Sequence, residues 1–266
     1  MDKFTKLVTE IGKLWSKYGN SYLTGIQNTL ILALAATAIG CIIGFACGIL
    51  NTIPCSKNDP LPKRILLKLV RIIVRVYVEV FRGTPMVLQA VFIYYGLPYF
   101  TDNALKFTNM WVAALVVVSV NTGAYMAEIV RGGILSIDRG QLEGAYSVGM
   151  THTQAMTRVV LPQALRNILP SVSNEFVINI KDTSVLNVIG VTELYYMAGV
   201  IKRINLQTFP VYAVVCVIYF LLTFAVTQLL RLAERKLAGS DNYTICGSGS
   251  DSQAEIHIRK EARQNG

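Results

Sequence analysis

Charge is scarce in this sequence. Asp, Glu, Lys and Arg make up 15% of its 266 residues and 53% are hydrophobic, whereas soluble domains carry roughly 25% charged residues. A water-facing surface of ordinary composition is excluded. Histidine is nearly absent: His152 and His257 are the only two, and neither lies near a cysteine or carboxylate cluster. The five cysteines show no CxxC spacing, so a metal site is not expected. No GxxxxGK[ST] phosphate loop is present, and the chain cannot supply an ATPase of the usual kind. No nucleophile, base or metal constellation marks an enzyme. No internal repeat marks a common secondary-transporter architecture. The acids are outnumbered, giving a formal charge of +9, but the basic residues flank apolar runs instead of forming one patch. That pattern fits a membrane edge and its lipid, not nucleic acid.

What the sequence has is long apolar runs, and these predict an all-α integral membrane protein. Crossing about 30 Å of hydrocarbon takes about 20 residues, and stretches 22–50, 70–97, 110–130 and 209–232 are long enough. A fifth, 171–191, is interrupted by Glu175, Lys181 and Asp182 and passes only if those groups face protein or water. Five spans are expected, with 189–201 either continuing the fourth or forming a short outer segment. Within the first run, Ala36, Gly40, Gly44 and Gly48 put small residues on one helical face, which suits close helix packing. Residues 1–21 alternate apolar and lysine positions like an interfacial amphipathic helix. Residues 22–237 form the membrane domain, and the Ser-, Gly- and charge-rich stretch 238–266 is expected to be a disordered cytoplasmic tail. Basic clusters after the first, third and fifth spans place the N-terminus outside and the C-terminus inside by the positive-inside bias, against the N-terminal lysines. Localisation is then a multi-pass cell membrane protein.

Between the third and fourth spans, residues 136–170 read as a folded hairpin. Asp138 with Gln141, and Thr151 with Gln154, have capping spacing. Gly149 stands where a helix would end in a left-handed residue. Pro162 interrupts or re-aims the second helix, and Pro170 opens the segment leading into the fourth span. On local physics, this hairpin is either a lid over the chain's own spans or a docking surface.

Glu143-Gly144-Ala145, then Gly149, then Val159-x-Leu161-Pro162 resembles the EAA loop of ABC importer permeases. That pattern is EAA, three residues, Gly, nine residues, Ile-x-Leu-Pro; the spacing agrees throughout, with Gly144 and Val159 as departures. Phe81-Arg82-Gly83-Thr84-Pro85, Ala124-Tyr125-x-Ala127-Glu128-Ile129-Val130-Arg131-Gly132-Gly133, Asn174-Glu175-Phe176 and Lys181-Asp182-Thr183-Ser184 resemble the permeases for polar amino acids and occur in that family's order. The resemblance covers roughly residues 20–237. It implies a non-enzymatic subunit forming a translocation pathway as a dimer with a second permease chain, identical or related. It also implies two separate ATPase subunits that bind Mg-ATP and an extracytoplasmic solute-binding protein that delivers an amino acid. Glu143, Gly144, Ala145, Gly149, Leu161 and Pro162 would then form the coupling helix and its turn, docked on the ATPase.

Polar residues in the spans are the candidates for the pathway. Ser119, Asn121 and Thr122 lie deep enough to hydrogen-bond a solute. Glu128 either pairs with a basic residue or faces the pathway. Lys181 and Asp182 either form an ion pair or receive the charged groups of an amino acid, since a buried charge needs a partner or water. Arg82 and Gly83 precede Thr84 and Pro85, which re-aim the chain into the bilayer, where Gln89 can join a polar interior. An ion-coupled secondary transporter or channel using Asp182 and Glu128 is the competing class.

Overall fold

The computed structural model describes residues 3–53, 55, 59–237, 243–246 and 255–258. Its backbone is almost entirely helical, as hydrocarbon demands: with no water to bond, each N–H and C=O must find a partner within the segment. Helix α1 (Lys3–Thr52) runs unbroken for 50 residues, about 75 Å at 1.5 Å per residue. The predicted boundary between an interfacial helix and the first span is not marked by any break in the helix. After α2 (Leu61–Gly83) come α3 (Met86–Val91), a π-helical turn and α4 (Leu97–Phe100). Then follow α5 (Met110–Leu135), α6 (Arg139–Ser147), α7 (His152–Ala155), a second π turn and α8 (Leu161–Asp182). A 3-10 segment, Thr183–Ile189, leads to α9 (Leu194–Asn205) and α10 (Thr208–Leu237).

Three helices, α1, α5 and α10, are long and apolar enough to cross a membrane, and the bent pair His152–Ile189 and Leu194–Asn205 would make a fourth. The predicted second span, 70–97, is not one long helix. It is divided at Thr84 and Pro85 between α2 and the shorter apolar stretch Met86–Phe100. Residues 189–201 do not continue the fourth segment; α9 turns away from it by 53° after Gly190, whose φ of 87° is left-handed.

Prolines interrupt the helices less than expected. Pro162 has no N–H, and its ring crowds the carbonyl four residues back. The turn before it widens, so that the Leu161 N–H reaches the Met156 carbonyl. Pro98 is accommodated in the same way, with the Leu97 N–H on the Phe92 carbonyl. Pro170, read from sequence as an opening, lies inside α8, because a helix held by its neighbours tolerates the missing bond.

The central packing is α1 against α5. A Cβ at Gly40 or Gly48 would lie 2.6 Å from the side chain of Thr122 or Val130, and one at Gly44 would overlap Met126. The small-residue face is therefore where α5 makes backbone-close contact, the main source of helix adhesion where lipid is as apolar as the side chains. At one end, Leu14 and Tyr22 of α1 pack with Leu194, Ile201, Val211 and Val215. At the other, Asn51 and Thr52 lie beside Ile137 and His152 of the hairpin. Within 238–266, β1 (Tyr243–Cys246) and β2 (Glu255–Ile258) pair antiparallel with Ile245 opposite Ile256. β-branched residues favour this backbone, although two strands alone are marginal in water. The rest of 238–266 lies outside the described residues.

Gly44→Leu is expected to destabilise the chain by about 1–3 kcal/mol or more through overpacking. Gly12→Leu, on the same helix with open space around it, is expected to be neutral. Thermal unfolding of the two purified variants checks this, and equal midpoints would contradict it.

Candidate functional site

The interruption after α2 creates the first feature. The residue before a proline is pushed out of the helical region, and Thr84 is extended at φ −121°, ψ 144°. Helix geometry resumes at Met86. Carbonyls freed by such a break must be satisfied inside the protein. The Gln89 side-chain amide does this, donating to the carbonyls of Phe81 (2.8 Å) and Thr84 (2.9 Å). Asn121 on α5 donates to the Gln89 Oε1 at 2.9 Å and to Phe81 O at 3.3 Å. Both amides are buried.

Beside the break is a cleft of about 490 Å³ whose walls include Arg82, Thr84, Asn121, Tyr125, Glu175 and Asp182. Glu175 and Asp182 are two turns apart on α8 and so share a face. Among the described residues neither is in an ion pair. The Arg82 guanidinium lies over the Tyr125 ring, 5.4 Å from its centre, and 3.2 Å from Glu128. Arg131 holds the other Glu128 oxygen at 3.3 Å. Two carboxylates on one wall and a guanidinium at the rim give the cleft groups of both signs, which suits a zwitterion: carboxylates accept from an ammonium, guanidinium and amides donate to a carboxylate.

The structure separates the sequence candidates. Arg82, Gly83, Thr84, Pro85, Asn121 and Asp182 meet at the cleft, with Gln89 behind them. Thr122 faces the core instead, where Asn179 donates to its hydroxyl at 2.9 Å and to Thr37 at 2.8 Å. Ser119 is buried and its hydroxyl has no partner among the described residues. Glu128 is in an ion-pair network, one of its two anticipated roles. Lys181 is exposed, does not line the cleft, and forms no ion pair with Asp182. Consecutive residues on a helix point about 100° apart, which separates them. Asn179 was missed, and Tyr125 and Glu175 were read as motif residues, Glu175 also as an interruption of the span, but not as site candidates. Their signal was present in the spacing: Glu175, Asn179 and Asp182 recur at four and three residues on one helical stripe.

The hairpin is the second feature. Asp138 caps α6 by accepting from the Gly140 N–H at 2.6 Å. At its far end, Gly149 at φ 82° closes the helix. Its N–H bonds Tyr146 O (2.9 Å) and the Met150 N–H bonds Ala145 O (3.1 Å), the six-to-one and five-to-two pair of a Schellman end. Thr151 and Gln154 then form the capping box reciprocally, at 2.9 and 3.3 Å. Ala145 faces inward and is buried, whereas Glu143, Gly144, Val148, Gly149 and Pro162 are exposed and Leu161 is half-buried. A Cβ at Gly144 or Gly149 would meet nothing within 4 Å. The hairpin thus both seats on its own spans, through Ile134, Val160, Ala164 and Ile168, and presents a glycine-bearing outer face.

Residues 64–239 match the family described as binding-protein-dependent transport system inner membrane component. The chain belongs to this family. The glutamine transport system permease protein GlnP of Escherichia coli (strain K12) is 35% identical over 215 residues, 81% of this chain and 92% of the relative. The octopine transport system permease protein OccM of Rhizobium radiobacter is 32% identical over 250 residues, 92% and 97% of the two chains. Among solved structures, the chain resembles an amino acid ABC transporter crystallised with histidines, with a TM-score of 0.73 and 34% identity over 83% of this chain and 96% of that one. The inward-facing MetNI methionine ABC transporter shares the fold at 20% identity, with a TM-score of 0.59 over 79% and 94% of the two chains. This member of the family is accordingly a transport permease subunit embedded in a membrane.

Asn179→Leu should lower stability by about 1–3 kcal/mol, because it leaves the Thr37 and Thr122 hydroxyls short of a buried partner. Chemical or thermal unfolding in detergent measures this; a variant as stable as the parent would contradict the network.

Proposed function

We propose that this permease forms the membrane pathway of an ATP-driven importer for polar amino acids, as a dimer of five-span subunits, coupled through α6 to separate ATPase subunits and fed by an external binding protein. The observation that carries the reading is the hairpin's exposed outer face. Gly144 and Gly149 leave room for another backbone there, and Val148 is 74% exposed. The names of the relatives and of the amino acid transporter structure support the substrate class. An N-out, C-in orientation is supported by the placement of the α1 start and the hairpin at opposite ends, with Arg131, Arg139 and Arg158 near the latter. Glu143 is the polar contact to the ATPase, Leu161 and Pro162 fix the helix that returns to the membrane, and Mg-ATP binds only on the partner.

In this reading the cleft beside the break receives the solute, with Glu175 and Asp182 facing its ammonium and Arg82 or Asn121 its carboxylate. Ser119 and Thr122 support that wall from behind. Lys181, exposed and unpaired among the described residues, has no part in it. An ion-coupled transporter would need Glu128 free to hold an ion, and its two arginine partners disfavour that alternative.

Co-purification with a partner ATPase and binding protein, followed by binding-protein-stimulated ATP hydrolysis across amino acids, tests the proposal. Gly149→Glu is expected to abolish stimulation at normal membrane levels. Gly149→Asn, which tolerates a left-handed backbone, should retain most of it. Stimulation surviving in Gly149→Glu would remove the docking role. For the cleft, Asp182→Asn should raise the KM of uptake by about 10-fold or more, the scale of a charge-assisted hydrogen bond. Unchanged uptake in Asp182→Asn and Glu175→Gln would place the solute elsewhere.

A further inference from the structure

Helix α2 carries a feature that the transport reading leaves unused. Arg64, Lys68, Arg71 and Arg75 recur at four, three and four residues and so form one narrow stripe. On one side of the stripe is the packed face, with Val74 and Val78 buried. On the other is an aliphatic face: Ile65, Leu69, Ile72 and Val76 are all about half exposed. The cationic stripe therefore borders the apolar face instead of opposing it.

A cleft of about 470 Å³ lies along this border, walled by the four basic residues together with Leu61, Ile65 and Ile72. Among the described residues, no carboxylate lies within ion-pair distance of any of the four. Glu79 and Glu128 line the adjoining cleft with Arg71 and Arg75, but Glu128 is taken by Arg82 and Arg131. Arg71 is held in place by its bond to the Ile53 carbonyl, yet its Nε is buried without an acceptor among the described residues. A fixed cation with an unfilled donor, three more cations on the same stripe and an aliphatic wall together suit a ligand with an anionic head and an apolar body. Inorganic phosphate would leave the aliphatic wall unexplained, and a second copy of the chain would leave the cations unexplained.

We propose that this cleft binds an anionic phospholipid, its phosphate held by Arg64, Lys68, Arg71 and Arg75 and its acyl chain lying along Ile65 and Ile72. Basic pockets at a membrane's inner edge recognise such headgroups by general electrostatics. The site lies at the Ile53 end of α1, the end that bears the hairpin, so bound lipid would brace the junction of α1 and α2.

The test is native mass spectrometry of the full-length chain in nonionic detergent, titrated with dioleoylphosphatidylglycerol or dioleoylphosphatidylcholine. The parent should retain the anionic lipid at least 10-fold better. Arg64→Gln/Lys68→Gln/Arg75→Gln should reduce that preference to within about twofold, and Arg75→Gln alone should lower it about fivefold. Arg64→Lys/Arg75→Lys should keep it, as should Lys6→Gln/Lys13→Gln/Lys17→Gln on α1. If the triple variant does not fold, the single variant gives the reading. A preference unchanged in Arg75→Gln or in the triple variant overturns the proposal. So does displacement of the lipid by millimolar inorganic phosphate, which would mark a free-anion site. A shift in monomer–dimer balance with lipid retention unchanged would assign the face to a second copy. Retention is read without transport, so this result and the ATPase result fail independently.

Discussion

Two peptide carbonyls freed where a helix breaks set the terms for the rest of this structure. Breaking a helix at Thr84 and Pro85 strips Phe81 O and Thr84 O of their usual partners, and each then needs another donor. The Gln89 amide caps both, and Asn121 fixes Gln89 from the neighbouring helix. That arrangement requires α5 to be close and correctly rotated. The glycine face of α1 supplies this by letting α5 approach to backbone contact. The cleft exists because the chain changes direction there, and the break is tolerable because the amide pair satisfies it.

Helix α8 ties this cleft to the hairpin. Its last turns carry Glu175 and Asp182 on the cleft wall, and its first turns carry Ala164 and Ile168, which seat the hairpin against α5. A widened turn precedes Pro162 at the start of this helix, and Pro170 lies between its two ends. Both weaken the backbone ladder locally without breaking the rod. A displacement of α6 therefore has a continuous packed route to the carboxylates. Close-packed interfaces shift between discrete arrangements more readily than they deform.

Much of this was legible in the sequence, for identifiable reasons. The small-residue spacing in α1 gave the packing face because helical periodicity is strict. The capping residues Asp138, Thr151 and Gln154 and the left-handed Gly149 located the hairpin's turns because those roles are local. The family membership was readable from motif order. What was not legible depended on neighbours. The packing of Thr122 against Asn179 and the pairing of Glu128 with two arginines require knowing which helices meet. Continuity through Pro170 depends on tertiary support that overrides local propensity. The divided second segment could be sensed at Thr84 and Pro85, but the amide clamp across it joins residues 32 apart.

The central claim is that movement at the hairpin changes access to the cleft. The direct measurement is the labelling rate of a single cysteine at Ile178, on the cleft wall, in a chain otherwise free of cysteine and assembled with the ATPase subunits proposed above. A membrane-impermeant maleimide would be applied with and without Mg-ATP and vanadate. The account predicts a change in rate of several-fold on trapping the nucleotide. A rate indifferent to nucleotide in a complex that hydrolyses ATP would contradict it.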